Sequence, residues 1–362
     1  MRLGFAYNQR PDTVADDGNG NRRHPSEPDL PVDAFVEWDE PSTIHAVADA
    51  LRVFGEVVLL EATGDFCAAL RDARVDLLFN MAEGTSGPNR ESHVPAIAEF
   101  LGVPYLGSDP LTLGLALHKG RAKEVFAQRG IPTAPFVLVE SEADLPRLRG
   151  ADYPLFLKPV WEGSSKGIAE ANFVEHADAA VERVRYLLET YRQPILAEAF
   201  LPGDEYTVAV LGNDGSARAL PLIRYRFGEL PEGALPIMGY EAKWLWDQPE
   251  QPLGEVLECP AAVSDVTAER VREVALAAYR ALGCRDWSRV DLRLGADGTP
   301  YVLEVNPLPG LMPDPEAHSC FPAAAAAAGM TYDELIQEAT RIAWRRITGR
   351  ELAPAPAAGV PS

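Results

Sequence analysis

The chain has 362 residues, of which 47% are hydrophobic and 8% are aromatic, and its formal net charge is −21 at pH 7. This length predicts two or three domains, because a typical domain has about 100–200 residues. The negative charge argues against nucleic acid as a partner, since a phosphate backbone requires a basic surface and the chain has no long Lys/Arg-rich run. Such acidity mainly promotes solubility. We therefore expect a soluble globular protein.

The cysteines and the N-terminal residues bear on the compartment. Cys67, Cys259, Cys284 and Cys320 lie far apart, without CxxC spacing. They predict neither a zinc site nor a disulfide framework. The start MRLGFAYNQR has no apolar core of signal-peptide length, and no window reaches the roughly 20 apolar residues of a membrane span. A cytoplasmic protein with reduced thiols and no membrane partner is expected.

The first predicted domain covers residues 1–110. Short apolar runs of strand length alternate with helical patterns at 3–7, 43–54, 56–60, 66–73 and 75–80. This alternation predicts a parallel sheet flanked by helices. Residues 11–34 interrupt it and are rich in glycine, proline, asparagine and charge. Such a long loop is either functional or disordered, and the sequence leaves both alternatives open.

Two further domains are predicted, at 111–216 and 217–350. The first contains one or two helices over 111–130 and a helix over 176–191, with strands at 136–139, 153–160, 194–201 and 205–212. The second contains a hairpin over 287–306 and helices over 267–283 and 331–347. The tail at 351–362 has no residues typical of a core and is predicted to be disordered.

The hairpin carries the clearest chemical signal. Asp297 and Gly298 separate two alternating runs, which is typical of a tight hairpin turn. This turn would pair Asp291 with Glu304. Two carboxylates facing each other about 4.5–5.5 Å apart at Cβ destabilise a hairpin. Either one carboxyl is protonated, or both point into water, or a cation lies between them.

Asn306 favours the cation. Arg289, Asp291, Glu304 and Asn306 share one face of the predicted hairpin, and the oxygen atoms of the last three match the preference of Mg²⁺. The opposite face would enter the core with Val290, Leu292, Leu294, Tyr301, Leu303 and Val305. We therefore predict a magnesium site at Asp291, Glu304 and Asn306.

A second signal is the stretch LKPVWEGSSKG at 157–167, where Lys158 ends an apolar run and a Gly/Ser loop follows. Backbone N–H groups of such a loop can surround phosphate oxygens. The loop alone is weak evidence because it lacks P-loop order, and Lys119 alone is typical of a solvated helix. Glu198 and Glu205, near the ends of two strands, are suited to contact adenine and ribose. Together with the hairpin, these residues indicate a nucleoside triphosphate between two lobes.

The combination resembles the ATP-grasp ligases, and among them the D-alanine–D-alanine ligase group. The resemblance covers nearly the whole chain, through FLGVPYLGSDPLTLGLALHKG, LKPVWEGSSKG, ILAEAFLPGDEYTVAVLG, MGYEAKWLWD, RVDLRLGADGTPYVLEVNPLPG and FPAAAAAAGMTYDELI. It implies an α/β ATP-grasp fold. That fold has an N-terminal parallel α/β pre-ATP-grasp domain, a small central α+β lid domain and a C-terminal α+β domain.

The resemblance also implies roles for individual residues. The expected ATP-binding residues are Lys119, Lys158, Glu162, Gly163, Ser164, Ser165, Glu198, Phe200, Leu201, Glu205 and Lys243. Two Mg²⁺ ions, with Mn²⁺ as an alternative, would bind Asp291, Glu304 and Asn306. The expected catalytic residues are Arg289, Ser164, Lys243 and Gly310. The expected substrate residues are Glu40, Trp244, Arg289, Gly310, His318 and Ser319.

The implied activity is that of an ATP-dependent carboxylate–amine ligase. It would join two small amino-acid-like substrates through an acyl phosphate and release ADP and phosphate. Three departures from the group's pattern affect the substrates: the long 11–34 loop, Trp244 where tyrosine is usual, and an extended link between Gly310 and Pro322. A product other than D-alanyl-D-alanine is therefore expected. The alternatives are a D-alanine–D-alanine ligase and a nucleotide-binding protein without ligase chemistry. Relatives are often homodimers, so a homodimer is an open alternative.

Overall fold

The computed structural model describes residues 1–11, 35, 37–227, 230, 234–237, 256–317 and 319–356, and the backbone of two short strands at 15–16 and 22–23. The strands are β1 (Arg2–Tyr7), β2 (Ala15–Asp16), β3 (Arg22–Arg23), β4 (Glu56–Glu61), β5 (Leu77–Asn80), β6 (Phe136–Val139), β7 (Leu155–Pro159), β8 (Phe173–Val174), β9 (Ile195–Ala199), β10 (Glu205–Leu211), β11 (Arg218–Ala219), β12 (Ile223–Tyr225), β13 (Leu257–Glu258), β14 (Trp287–Leu294) and β15 (Pro300–Asn306). The helices are α1 (Pro41–Leu51), α2 (Phe66–Ala73), α3 (His93–Leu101), α4 (Pro110–Leu117), α5 (Lys119–Gln128), α6 (Ala177–Tyr191), α7 (Asp265–Leu282), α8 (Cys320–Ala327) and α9 (Tyr332–Thr348).

The N-terminal sheet is parallel, in the order β4-β1-β5. Its central strand is buried because side chains of α1 and α9 cover one face and side chains of α2 and α3 cover the other. The predicted strands and helices of this region are confirmed. Within the predicted 11–34 loop, β2 and β3 form an antiparallel pair. Most of that loop lies outside the described residues.

The central sheet is antiparallel, in the order β6-β9-β7-β8. Helix α6 packs on one face and buries Leu155, Leu157 and Ala197 beneath Val184 and Leu187. The opposite face is left for polar side chains of β7 and β9.

The largest sheet has the order β13-β12-β10-β14-β15, and β11 pairs with β10. Helices α5 and α7 pack against it. Strand β10 pairs with β14 along its whole length, from Glu205 opposite Arg293 to Leu211 opposite Trp287. The predicted boundary at residue 216 placed β10 with the central unit, but its hydrogen bonds place it in this sheet.

The β14–β15 hairpin has the predicted pairs at its open end. Arg289 lies opposite Asn306, and Asp291 lies opposite Glu304. The prediction of a two-residue turn is wrong, however, because β14 ends at Leu294 and β15 begins only at Pro300. The connection is therefore the longer segment 295–299, in which Gly298 has a φ of 75°.

A β-bulge follows the Asp291–Glu304 pair, so that Leu292 faces Val302. Val302 and Val305 are buried in the core. Leu303, which was expected in the core, instead lines a cleft on the other face of the sheet. The reason is that a bulge opposes two residues of one strand to one of the other and locally breaks the alternation.

The C-terminal residues 351–356 have no regular secondary structure but lie against the N-terminal region. Leu352 packs beside the first core, and the Ala355 amide donates to the carbonyl of Val53 at 2.8 Å. The disorder of the tail stays a prediction, and residues 357–362 lie outside the described residues. Within the described ranges, no helix has the length and apolarity needed to cross a membrane.

Candidate active site

A cleft lies where the polar face of the central sheet meets the face of the large sheet that carries Asp291. The predicted site residues that line it are Lys119, Lys158, Glu162, Gly163, Ser165, Glu198, Phe200, Leu201, Glu205, Asp291 and Glu304. These residues come from α5, β7, β9, β10, β14, β15 and the connecting loops. The fold therefore brings together side chains that are as far apart in sequence as residues 119 and 304.

Lys158 lies near the end of β7 and contacts Glu198 on β9. Its Nζ is 2.5 Å from Glu198 Oε1, and Nζ of Lys123 is 2.7 Å from Oε2. Burial would raise the pKa of Glu198, but Lys123 and Lys158 lower it to about 2. Glu198 is therefore ionised at neutral pH and fixes the ammonium group of Lys158 at the cleft wall.

Sequence reasoning missed Lys123, which is fully buried and also donates to Thr133 Oγ1 at 2.9 Å. Burial lowers the pKa of this lysine, and the charge of Glu198 opposes that shift. Its position was available from the spacing, because Lys119 and Lys123 are four residues apart on α5 and share one face of the helix.

Lys119 links the Gly/Ser loop to the hairpin. Its Nζ lies 3.0 Å from Glu304 Oε2 and also donates to the carbonyl oxygen of Glu162. The ammonium group is thus beside the predicted metal ligands and at the start of the predicted lid.

The predicted metal ligands converge on the open end of the hairpin. Asp291 accepts from Thr207 Oγ1 at 2.5 Å and from Arg289 Nη2 at 2.9 Å. Asn306 Nδ2 lies 3.1 Å from Asp291 Oδ2 and 3.5 Å from Glu304 Oε1. The three side chains therefore present their polar atoms to one point in the cleft.

The two acids differ in electrostatic surroundings. Burial raises the pKa of Asp291, and Arg289 opposes that shift. Burial acts on Glu304 in the same direction, but Lys119, Arg289 and Lys158 lower its pKa to about 2. A bound divalent cation would stabilise the ionised form of both acids.

The donor set fits Mg²⁺, which prefers oxygen ligands and retains several water or phosphate ligands. Rotation of the Asn306 amide presents its oxygen in place of its nitrogen, since these atoms are assigned from their hydrogen bonds. Among the described residues, no group of three or more His, Cys, Asp or Glu side chains converges as a metal site.

The Gly/Ser loop is held against the N-terminal region. The Gly163 amide donates to Glu37 Oε1 at 2.8 Å, and Arg90 Nη2 donates to both oxygens of Glu37 at 2.7 and 2.9 Å. Arg90 Nη1 also donates to the carbonyl of Trp161 at 2.6 Å. A Cβ added to Gly163 would lie 2.6 Å from Glu37 Oε1. A side chain at this position would therefore displace the Glu37 carboxylate.

Ser164 and Ser165 lie at the tip of the same loop, with φ angles of 47° and 62°. Non-glycine residues in this region each cost about 1–3 kcal/mol and cluster at ligand-binding segments. Glu162 precedes them and pairs through Oε2 with Lys166 Nζ at 2.8 Å.

Glu40, the expected substrate acid, lies away from the cleft. It precedes α1 and pairs with Arg10 Nη1 at 2.7 Å, with a side chain that is 49% exposed. Glu37, which is three residues earlier and 6% exposed, is the acid that reaches the Gly/Ser loop. The role of Glu40 as a substrate residue stays a prediction. Sequence reasoning gave no signal for Glu37 because the preceding loop hides the register.

Of the residues expected to bind the acceptor substrate, the structure describes Gly310 and Ser319. Ser319 Oγ donates to the carbonyl oxygen of Gly310 at 3.1 Å, so these two residues do lie together. Next to them, Tyr225 OH and Cys320 Sγ are 3.1 Å apart. Lys243, Trp244 and His318 lie outside the described residues.

The other end of the cleft is apolar and suits a nucleobase. Its lining residues are Phe156, Ile168, Ala199, Phe200, Leu201, Ile237 and Leu303. Glu205, the expected ribose acid, accepts from Arg293 Nη1 at 3.0 Å. Arg293 was missed, although it continues the alternation of Arg289 and Asp291 along β14.

Comparison with known proteins agrees with this geometry. The family described as D-ala D-ala ligase C-terminus matches residues 125–340. An uncharacterized protein from Sinorhizobium fredii, y4sG, is 37% identical over 327 residues, which cover 86% of this chain and 90% of that protein. A D-alanine–D-alanine ligase from Bordetella petrii is 36% identical over 270 residues, which cover 74% of this chain and 76% of that enzyme.

A solved structure is also similar. The D-alanine–D-alanine ligase from Bacillus anthracis complexed with ATP aligns with a TM-score of 0.67 at 21% identity. The alignment covers 96% of this chain and 98% of that one, and it establishes the fold. The chain has the ATP-grasp fold and belongs to the D-alanine–D-alanine ligase family of ATP-dependent carbon–nitrogen ligases.

Proposed function

We propose that this protein joins two small amino-acid-like substrates through an acyl phosphate, at the expense of ATP, and that its product is not D-alanyl-D-alanine. One observation carries the proposal. Lys158 and Lys119 lie in the same cleft as Asp291 and Glu304, with Arg289 Nη2 2.9 Å from Asp291 and 3.9 Å from Glu304. A simple nucleotide-binding protein has no need for an arginine beside both acids.

In the first half-reaction, the donor carboxylate attacks the γ-phosphorus of ATP and ADP leaves. This step depends on positioning and on neutralising charge rather than on a protein nucleophile. Lys119 and Lys158 would bind the phosphates, and Glu198 holds Lys158 in place through the 2.5 Å ion pair. Mg²⁺ held by Asp291, Glu304 and Asn306 would neutralise phosphate charge.

In the second half-reaction, the amine attacks the acyl carbon and phosphate leaves, while the amine nitrogen releases a proton. Arg289 would stabilise the oxyanion of the tetrahedral intermediate together with the Gly310 amide, since donors aimed at developing charge often make the largest catalytic contribution. The loop at 161–167, with Ser164 and Ser165 at its tip, would exclude water from the acyl phosphate.

Two ions and a symmetric assembly complete the proposal. We propose that Asp291, Glu304 and Asn306 would hold two Mg²⁺ ions, with Mn²⁺ as a functional replacement, and that the ions would supply positive charge to the phosphates. We also propose a homodimer, for which light scattering at assay concentration is the test.

Lys243 and Trp244 are proposed to complete the phosphate and acceptor sites.

The position of Glu40, the expected substrate acid, supports a product other than D-alanyl-D-alanine. Glu40 pairs with Arg10 at the surface, whereas Glu37 and Arg90 hold the Gly/Ser loop. A second candidate, D-alanine–D-alanine ligase, is favoured by the printed names of relatives at about one third identity, such as the enzyme from Bordetella petrii.

One experiment separates these candidates. Phosphate release is measured with ATP, Mg²⁺ and a panel of D- and L-amino acids, singly and in pairs, and products are identified by mass spectrometry. The proposal expects turnover with an amino-acid pair other than D-alanine with itself. Preferred turnover with D-alanine alone would establish the second candidate, and no amine-dependent turnover with any panel member would contradict the ligase activity.

The hairpin acids are tested by Asp291→Asn. We expect turnover to fall by about 10³-fold or more, because a metal ligand is lost at the reacting phosphate, while nucleotide affinity in the absence of metal changes little. Initial rates and calorimetric ATP titration measure the two effects. Equal losses in both would argue against a metal-binding role for Asp291.

A further inference from the structure

Glu91 is a buried acid without a partner. It lies in the short turn Arg90–Ser92 that leads into α3, and the residue is 8% exposed. Within the described ranges, no hydrogen bond or ion pair reaches its side chain. Its oxygens are not among the sealed, unbonded polar atoms of those ranges, so they remain accessible. Because buried charges are normally paired, such a carboxylate is suited to bind a cationic ligand.

Glu83 is a second acid of this kind. It is partly buried, and in the part of the chain that the structure describes its side chain also lacks a hydrogen bond or an ion pair. Burial raises its pKa well above the ordinary value, and the charges of Glu91 and Glu37 raise it further. The carboxyl groups of Glu83 and Glu91 are therefore neighbours.

The cations that act on Glu91 are engaged with other groups. Arg90 Nη2 donates to both oxygens of Glu37 at 2.7 and 2.9 Å. Lys119 Nζ lies 3.0 Å from Glu304 Oε2. Both cations oppose the effect of burial on the pKa of Glu91, but neither forms an ion pair with it. Glu37 is thus compensated by Arg90, whereas Glu83 and Glu91 have no cation in contact among the described residues.

Glu91 lies on the side of the reaction where the donor carboxylate is activated. The charges of Lys119 and Glu304, at the proposed phosphate and metal sites, both act on it. Its neighbour Arg90 also donates to the carbonyl of Trp161, at the start of the Gly/Ser loop. Glu83 is affected by Glu91, Glu37, Arg90 and Asp39, so it lies on the side of Glu91 that faces the N-terminal region.

The number of charges indicates the class of donor. The α-ammonium group of an amino acid is next to the carboxylate that receives the phosphoryl group, so it would reach the acid closer to Lys119 and Glu304, which is Glu91. One ammonium group balances one carboxylate. A second positive charge, on the side chain of the donor, would balance Glu83, since a buried charge is tolerated when it is paired.

We propose that the donor is a basic amino acid, whose α-ammonium group binds Glu91 and whose cationic side chain binds Glu83. The inference rests on the proposed function, because it assigns the donor of that ligase reaction. Glu83 is then the residue that distinguishes a basic donor from a neutral one of the same shape, because a neutral side chain would leave its carboxyl group without a partner.

The test measures activation of the donor without knowledge of the acceptor. Hydroxylamine attacks the acyl phosphate, forms a hydroxamate and releases phosphate, so hydroxamate is measured with ATP, Mg²⁺ and single amino acids of both configurations. Each basic amino acid is paired with the neutral one in which a methyl group replaces the side-chain ammonium: 2,4-diaminobutyrate with norvaline, and ornithine with norleucine. For at least one pair, kcat/KM should be about 10-fold or more higher with the basic member.

Two isosteric variants separate the roles of the acids. Glu83→Gln should lower kcat/KM for the basic amino acid by about 10–100-fold and for its neutral partner much less, so the preference is lost. Glu91→Gln should lower kcat/KM by about 10-fold or more for both members and keep their ratio, because both have an α-ammonium group. Glu61→Gln, at an exposed acid that ends β4, is the matched control and should retain the wild-type values.

The outcomes separate this inference from the proposed function. Because the preference is a ratio within one protein sample, a variant that is partly unfolded still reports it. Wild-type protein that forms hydroxamate equally well from basic and neutral amino acids would overturn the inference and leave the ligase activity intact. A preference that persists in Glu83→Gln would overturn the role of Glu83. No hydroxamate from any amino acid would overturn the proposed function, and this inference with it.

Discussion

Two groups of buried carboxylates in this molecule have opposite electrostatic outcomes. At the cleft wall, Glu198 lies between Lys123 and Lys158, with Nζ atoms at 2.7 and 2.5 Å, and its pKa falls to about 2. Burial alone would raise the pKa of Glu198. Two cations in direct contact are therefore enough to outweigh desolvation.

In the N-terminal region, several acids share few cations. Burial raises the pKa of Glu91 to about 7, against the opposing charge of Arg90, and raises the pKa of Asp39 to about 8. Glu83 is also shifted well upward by burial and by neighbouring acids. Arg90 forms its close ion pair with Glu37 at 2.7 Å. The comparison teaches that a buried carboxylate here keeps a low pKa where the cations in contact with it outweigh the effect of burial.

The largest expected effect follows from removing the anion between the two lysines. Glu198→Gln leaves Lys123 and Lys158 buried without their shared counter-charge, so the free energy of unfolding should fall by about 3–5 kcal/mol at pH 7. Urea denaturation monitored by circular dichroism measures it. Glu189→Gln, at an exposed position of α6, is the matched control and should change stability by less than about 0.5 kcal/mol.

The difference in unfolding free energy between wild type and Glu198→Gln should depend on pH. Because the pKa of Glu198 is lowered from 4.5 to about 2 on folding, its contribution is complete above pH 4.5 and is lost as the pH falls towards 2. The difference in unfolding free energy between wild type and Glu198→Gln should therefore narrow over this range. A constant difference from pH 6 to pH 3 would contradict the two-cation explanation.

A smaller effect is expected where one carboxylate connects the Gly/Ser loop to the N-terminal region. Glu37→Gln weakens the acceptor for Arg90 and the Gly163 amide, so kcat/KM should fall by about 10-fold, the value of one charge-assisted hydrogen bond. Glu40→Gln removes only an exposed ion pair with Arg10, and stability should change by about 0.2–1 kcal/mol with unchanged kinetics. A larger kinetic loss at Glu40 than at Glu37 would restore Glu40 as the substrate acid.

The smallest expected effect is a gain in stability. The pKa of Asp39 is raised from 3.8 to about 8 on folding, so the native state loses stability as the pH rises from about 4 to 8. Asp39→Asn removes this loss and should stabilise the protein by about 1 kcal/mol or more at pH 9, with little change at pH 4. Thermal unfolding at both pH values measures it, and a destabilised variant at pH 9 would show that the carboxylate is paired after all.

Much of the fold was predictable because its signals are local. Apolar runs fixed β1, β4 and β5, and the positions of Asp291 and Glu304 on opposite strands followed from alternation and a nearby turn. These features depend on neighbours in sequence, which a single chain displays directly.

The remaining features depend on tertiary contacts. Lys123 is recognisable only once Glu198 arrives from β9, and Arg293 only once Glu205 arrives from β10. The contact of Glu37 with the Gly/Ser loop was missed because register after a long loop cannot be read from spacing. Residues 351–356 were expected to be disordered because their few apolar side chains reveal a packing surface only when Val53 is present.

The extra residue in β15 has a further consequence for how this enzyme can vary. Because of this bulge, Leu303 and Glu304 both line the cleft. One strand therefore supplies an apolar contact for the base and a carboxylate for the metal. Deleting one residue at this point would restore ordinary pleating at the cost of one of the two. An insertion next to position 303 should therefore be less tolerated than a substitution there, because it would turn the side chains that follow it to the opposite face of the sheet.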